Sequence, residues 1–168
     1  VKKNPLRKEK KIDYLNATDG SEYSSLHATY HPYFKGLLEK CGYYDIFLID
    51  SETGDIIYTA FKEPDFGCNL MNGPYADTNI GRLCTEVNNT DGHNLVKMID
   101  FEPYAPSGFE PASFIAAPIY DGFNKTGVLV LQVPIAQINN IMTERAGLGE
   151  TGETYLVGSD KFMRSDSR

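Results

Sequence analysis

Two histidines four residues apart, His27 and His31, share one helical face and have the spacing of a metal-ligating pair. With no carboxylate or third ligand at matching spacing, they read as surface or packing histidines, and no metal site is expected. Cys68, His93 and either Asp91 or Asp100 supply the residue types of a thiol hydrolase, but no local signature surrounds them. The glycines of Gly147-Leu148-Gly149-Glu150-Thr151-Gly152 follow a helical pattern and precede a strand-like run. That is the reverse of a dinucleotide loop, so the segment reads as a hinge. The chain is therefore not expected to be an enzyme, and no cofactor is expected; a haem or flavin module would need a well-placed axial His or Cys.

Binding chemistry is better supplied. A small-molecule site needs an apolar concavity with a few directed polar groups. Tyr58 and Ala60 alternate onto one face of a strand, and Phe101 and Tyr104 end another. Ser113, Ile115 and Ala117 share one face of a further strand, with Ala112, Phe114 and Ala116 on the other. Small residues such as Ala116 and Ala117 leave room above a sheet. The long polar run from Lys62 to Asn79 supplies polar candidates, Lys62, Asp65, Tyr75, Asp77 and Asn79, since long ordered loops border binding sites. Lys62 would hold a carboxylate and Asp77 would answer an ammonium, so charge alone leaves amino acids, organic acids and amines all open. Tyr75 and Asp77 follow the Gly73-Pro74 turn that fixes where a short helix starts. The candidate ligand-binding set is Tyr58, Lys62, Tyr75, Asp77, Phe101, Tyr104, Ser113 and Ala116.

The elements that must position these residues centre on YYDIFLIDSETGDIIYTAF, residues 43–61, two strands joined by a turn at Ser51–Gly54. Before it, Tyr23, Leu26, Tyr30, Phe34, Leu37, Leu38 and Cys41 recur at helical spacing across Pro32, with Ser21 or Asp19 as cap and Gly42 as stop. This predicts a long helix lying across the sheet on that apolar stripe. Beyond the hairpin come a short helix at Ile80–Val87, strands at Val96–Pro103, Ala112–Tyr120 and Thr126–Val133, and a helix at Ile135–Met142. Tyr104–Pro111 reads as loop. Gly152–Arg168 reads as a strand at Glu153–Gly158, a turn, and the start of another at Phe162–Arg164, outside the main plan. Short turns between strands imply antiparallel pairing: an α+β domain with about five strands and helices against its faces.

The 168 residues, 41% hydrophobic, suffice for one substantial core. A net charge of −7 argues against nucleic acid as partner. Residues 1–11 carry six Lys or Arg against Glu9, leaving −12 for the remainder. Three cysteines without C-x-x-C spacing indicate neither a disulfide framework nor a thiolate metal site. The sequence offers no run of about 18 apolar residues and no opening signal peptide, so the expectation is a soluble protein or a piece of a larger one.

Taken together, YYDIFLID, IIYTAFKEPDFG, GPYADTN, FEPYAPS, EPASFIAAPIYD, GVLVLQVPI and LGETGETYLVGSD resemble the Cache family of PAS-like extracytoplasmic sensor modules, over about residues 21–168. The likeness is to the sensory portions of bacterial chemoreceptors and related transmembrane cyclases and kinases. It implies a periplasmic or extracellular domain between transmembrane helices outside this chain, reporting a small solute. In double-Cache members a long N-terminal helix leads into a membrane-distal unit and a second unit follows. The implied division is an N-terminal helical segment at 1–42, the sensor domain at 43–146, and a linker with the start of a truncated second unit at 147–168. Homodimerisation through the N-terminal helix is implied for the full-length receptor. The rival reading is a structural or dimerising module that binds no ligand.

Overall fold

The computed structural model describes residues 8–144 and 146–166, with side chains from residue 11 onward; the basic stretch at 1–7 lies outside them. A short 3₁₀ turn, Lys8–Asp13, precedes helix α1, Glu22–Cys41. The hairpin follows as β1, Asp45–Asp50, and β2, Ile56–Thr59. Its turn is built by the Asp50 carboxylate, which accepts the backbone N–H groups of Glu52 and Thr53 and the Thr53 hydroxyl. Gly54 then takes φ of 80° against Met71, where a side chain would be strained. Next come α2, Asn79–Asn88, β3, Lys97–Tyr104, a 3₁₀ turn at Ala105–Ser107, β4, Glu110–Asp121, β5, Asn124–Pro134, and α3, Ile135–Met142.

The five strands form one antiparallel sheet in the order β2-β1-β5-β4-β3, as the alternation and short turns predict. The most apolar strand, β5, is central because both its faces are covered and both its edges are paired. The stretch expected as loop, Tyr104–Pro111, is largely ordered: β3 runs through Tyr104 and β4 begins at Glu110. A register break after Ile99 is held by Asn79, whose amide donates to the carbonyls of Asp100 and Ala112 at 3.1 and 2.8 Å. The pattern could not show this, because the bulge is fixed by a side chain from α2.

The sheet has a core on each side. On one, Phe47, Ile49, Ile56, Phe114, Ala116, Val128 and Val130 pack under α2 and the segment before it. The helix starts close: a Cβ on Gly81 would fall 2.3 Å from the Ala76 carbonyl oxygen, so only glycine fits. At its other end, the half-buried Lys125 ammonium caps the helix, donating to the carbonyls of Asn88 at 2.7 Å and Thr90 at 2.9 Å.

On the other side Ile46, Leu48, Tyr58, Ala60, Leu129 and Leu131 pack against α1, which runs through Pro32 without interruption. Ser21 caps it, its hydroxyl accepting from the Ser24 N–H. The stripe expected to face the sheet is divided. Phe34 and Leu38 pack inward, but Tyr23, Leu26, Tyr30 and Leu37 are 42–55% exposed, as is the neighbouring Tyr33 at 76%, while Ser24, His27 and His31 are buried. The histidines face inward because they have partners there. His31 donates from Nε2 to the Ile12 carbonyl at 2.6 Å and accepts the Tyr58 hydroxyl at Nδ1, 2.7 Å. His27 stacks on it at 4.5 Å between ring centroids and donates to the Leu15 carbonyl. They are packing histidines that fasten the incoming chain to α1.

After α3 the chain makes one isolated bridge, Val157 to Met163, in place of the expected strands at Glu153–Gly158 and Phe162–Arg164. It is moored by side chains: Arg164 donates to Asp100 at 3.0 Å and to Asp160 at 2.7 Å, and Asn139 exchanges two hydrogen bonds with Asp166. A lone hairpin without a layer behind it cannot sustain a ladder. No described helix is long and apolar enough to cross a membrane.

Candidate functional site

The apolar space under the 62–79 segment, where room above Ala116 was expected, is filled by the protein's own side chains. Phe47, Leu70, Ile80, Tyr104 and Phe114 are fully buried, and Phe114 meets Tyr104 and Phe47 edge-on at 5.2 and 6.2 Å. The polar end of the same sheet face is different. Asp45 begins β1, Gln132 stands opposite it on β5, and both point to the side that Phe47 and Val130 occupy. Glu63 and Asp65 descend from the segment after β2, and Tyr104 and Ser107 rise from the end of β3 and its turn.

These six side chains are buried together, and their hydrogen bonds fall into three sets: Asp65 with Tyr104, Glu63 with Ser107 and Gln132, and Asp45 with the backbone. Tyr104 donates to Asp65 Oδ2 at 2.6 Å, and Ser107 donates to Glu63 Oε2 at 2.7 Å. Tyr44 donates to Glu63 Oε1 at 3.0 Å. Because the Ser107 hydroxyl proton goes to Glu63, Gln132 must present its amide N–H to Ser107, at 3.1 Å. Its carbonyl oxygen is thereby left buried without a donor, as is Asp65 Oδ1. Asp45 is quieted by the backbone N–H groups of Ile46 and Ala60, at 2.7 and 2.9 Å.

Two of the buried carboxyl groups, Asp45 and Asp65, resist ionisation. Burial pushes Asp45 up to about 8, against the pull of its backbone donors and with the Asp65 charge adding to the rise. Burial likewise lifts Asp65 to about 6, opposed by the Tyr104 hydroxyl and reinforced by Glu63. Burial lowers the Lys62 ammonium to about 8, with Asp45 pulling the other way. Lys62 takes a left-handed φ of 54° and donates to the Ala60 carbonyl at 2.9 Å. Burial depresses the two histidines of α1, and the Lys62 charge adds to it.

The structure distributes the eight residues singled out from sequence over several places. Tyr104 belongs to the network, Tyr75 packs beside it at 6.3 Å between ring centroids, and Ala116 lies deeper in the same core. Tyr58 faces α1 on the opposite side of the sheet, bonded to His31. Lys62 stands at the sheet margin between that side and Asp45. Phe101 points away from the network into a cleft of about 250 Å³ shared with Ile135 and Met163. Ser113 is buried, bonded to the Ile99 carbonyl at 2.6 Å, and alternates away from Ala112 and Phe114. Asp77 is exposed. Asp45, Glu63, Ser107 and Gln132 escaped the sequence reading. A glutamine inside GVLVLQV and an aspartate opening an apolar strand were the signals, since an unpaired polar group is costly there.

No protein-family model matches the chain, and no curated protein matches its sequence. Solved structures are similar in fold. The ligand-binding domain of the Campylobacter jejuni chemoreceptor Tlp3, in complex with 4-methylisoleucine, superposes with a TM-score of 0.60 at 12% identity, covering 94% of this chain and 57% of that one. The sensor domain of the V. cholerae histidine kinase DctB gives 0.52 at 17% identity, covering 82% and 48%. The ligand-binding domain of the Pseudomonas fluorescens chemoreceptor CtaA, with L-serine, gives 0.50 at 16% identity, covering 78% and 52%. The chain thus spans about half the length of each, and the fold it defines is that of these sensor domains, as the Cache resemblance implied.

Proposed function

We propose that this chain is the small-molecule-sensing module of a bacterial transmembrane receptor, placed outside the cytoplasmic membrane, without enzymatic activity of its own. The observation that carries the reading is the cluster of buried polar side chains Asp45, Glu63, Asp65, Tyr104, Ser107 and Gln132 by the 62–79 segment, with two acceptors unanswered. A fold does not pay to bury such groups for stability, and they sit in a fold that its neighbours use to bind amino acids. A solute that prefers one closure of this segment over the sheet shifts the population toward it, and α1 and α3 are the elements placed to pass the change on. Residues 147–168 open a second unit, in keeping with the greater length of the neighbours. Thermal melts of the chain against amino acids, organic acids and amines test the reading: at least one class raises the melting temperature saturably, and no response from any at millimolar concentration refutes it.

The outward stripe on α1 supports a second property, pairing of two copies. Tyr23, Leu26, Tyr30, Tyr33 and Leu37 are spaced three and four apart in alternation, the a and d positions of a heptad seam, and all are exposed. Half-exposed aromatics of this size offer roughly 100 Å² each, so two such helices bury on the order of 1,000 Å², the lower bound for a specific interface. Tyr33→Glu is expected to abolish a dimer seen by sedimentation at tens of micromolar; a wild-type monomer at that concentration overturns the pairing while leaving the sensing role untouched.

A further inference from the structure

The register break in β3 is gripped from two sides, by the start of α2 and by the tail that follows α3. Asp100 and Phe101 stand together opposite Ser113, the two-against-one arrangement of a bulge, so the ladder is interrupted there while Ile99 and Glu102 on either side remain paired. Side chains hold what the ladder does not. The Asp100 carbonyl accepts the amide of Asn79, the buried first residue of α2, at 3.1 Å. One oxygen of the Asp100 carboxylate accepts the Phe101 N–H at 2.7 Å, closing the bulge on itself. The other accepts Arg164 of the tail at 3.0 Å. The Phe101 ring lines the cleft that Met163 and Ile135 share.

Each grip is continuous with a larger piece of the chain. Asn79 Oδ1 accepts the Ile80 N–H at 3.0 Å, and α2 starts so close to the carbonyls of Tyr75 and Ala76 that residue 81 must be glycine. Asn79 thus moves with the 62–79 segment. In the tail, the Arg164 guanidinium also donates to Asp160 at 2.7 Å and to the Phe162 carbonyl at 3.2 Å, and its backbone N–H donates to Leu156 at 2.7 Å. A displacement of Asn79 therefore acts on the carbonyl of the same residue whose carboxylate holds Arg164. We propose that the Asp100–Phe101 bulge is a joint coupling the start of α2, and with it the 62–79 segment, to the tail at residues 156–165, so that loosening either end loosens the other. It is a route to the tail additional to α1 and α3. A bulge suits the task because its extra residue lets a strand bend locally without breaking the pairing beyond it.

The test is native-state hydrogen exchange of the unliganded chain, read amide by amide. The reporters are the Arg82 N–H, bonded to Thr78 in the first turn of α2, the Phe101 N–H in the bulge, and the Leu156 and Arg164 N–H groups in the tail. Arg164→Met is expected to speed exchange at Phe101 and Arg82 by about threefold or more. Asn79→Ala is expected to speed Leu156 and Arg164 by the same margin, since a coupling between two sites is reciprocal. Asn79→Ser, which keeps a capping hydroxyl, replaces it if the alanine variant does not fold. Lys125→Met loosens α2 from its far end and is expected to leave Leu156 and Arg164 below that margin. A smaller response than this at Phe101 and Arg82 to Arg164→Met, or at Leu156 and Arg164 to the Asn79 variant, overturns the joint. Equal acceleration of the tail by Lys125→Met also overturns it, because it marks a general loosening. No ligand enters the measurement, so its failure leaves the sensing role to the melts described above.

Discussion

Replacing Asp65 by Asn should make the unliganded protein more stable, and the size of the gain follows from the burial of its carboxyl group. Asp65 is fully buried, and burial, with Glu63 nearby, raises it from the ordinary 3.8 to about 6. At 1.36 kcal/mol for each factor of ten in proton affinity, keeping it ionised at pH 7 costs about 3 kcal/mol. Asparagine removes that cost but accepts a weaker hydrogen bond from Tyr104, worth about 1 kcal/mol less. The net expectation is a gain of about 2 kcal/mol at pH 7, or about 4–8 °C in melting temperature for a chain of this size. The sign with pH is fixed. The folded carboxyl binds its proton more tightly than the unfolded one, so its favourable contribution is complete below 3.8 and is lost as pH rises through 6. The advantage of the variant should therefore shrink to under about 1 kcal/mol at pH 4. Urea unfolding of both proteins at pH 7, 5.5 and 4 measures it. A variant less stable than wild type at pH 7, or a difference independent of pH, refutes the electrostatic account of the network.

Two other outcomes test the framework around the site. Lys125→Met leaves the last carbonyls of α2 without their charged donor and should cost about 2–3 kcal/mol, seen as a loss of about 5–10 °C in a thermal melt; a loss under 2 °C would show that water caps the helix equally well. His31→Phe should cost about 2–4 kcal/mol at pH 7, because the Tyr58 hydroxyl and the Ile12 carbonyl lose their partner in the interior. Burial holds His31 down at about 4 from the ordinary 6.5, so the stability its neutral form gives is present above 6.5 and lost as pH falls toward 4. The gap between wild type and variant should accordingly narrow over that window, and a parallel pair of pH profiles would contradict it.

The strands and helices were legible in the sequence because each is written in neighbouring residues. Alternation in DIFLID, the Gly54 turn and the apolar run of β5 are local facts, and together they impose an antiparallel sheet whatever lies elsewhere. The outward face of α1 was not legible, since Leu26 and Tyr30 look like core until Ile12, Leu15 and Tyr58 claim the two histidines for the inside. The site was legible at Tyr75, Tyr104 and, among the polar candidates of the 62–79 segment, Asp65. Its network is made by pairs 39 residues apart, Asp65 with Tyr104, and 44 apart, Glu63 with Ser107. Periodicity determines which residues share a face, and that much this sequence settled by itself. Which buried acid meets which hydroxyl, and which acceptor is left with none, depends on chain segments brought together by folding, and only the tertiary structure decided it.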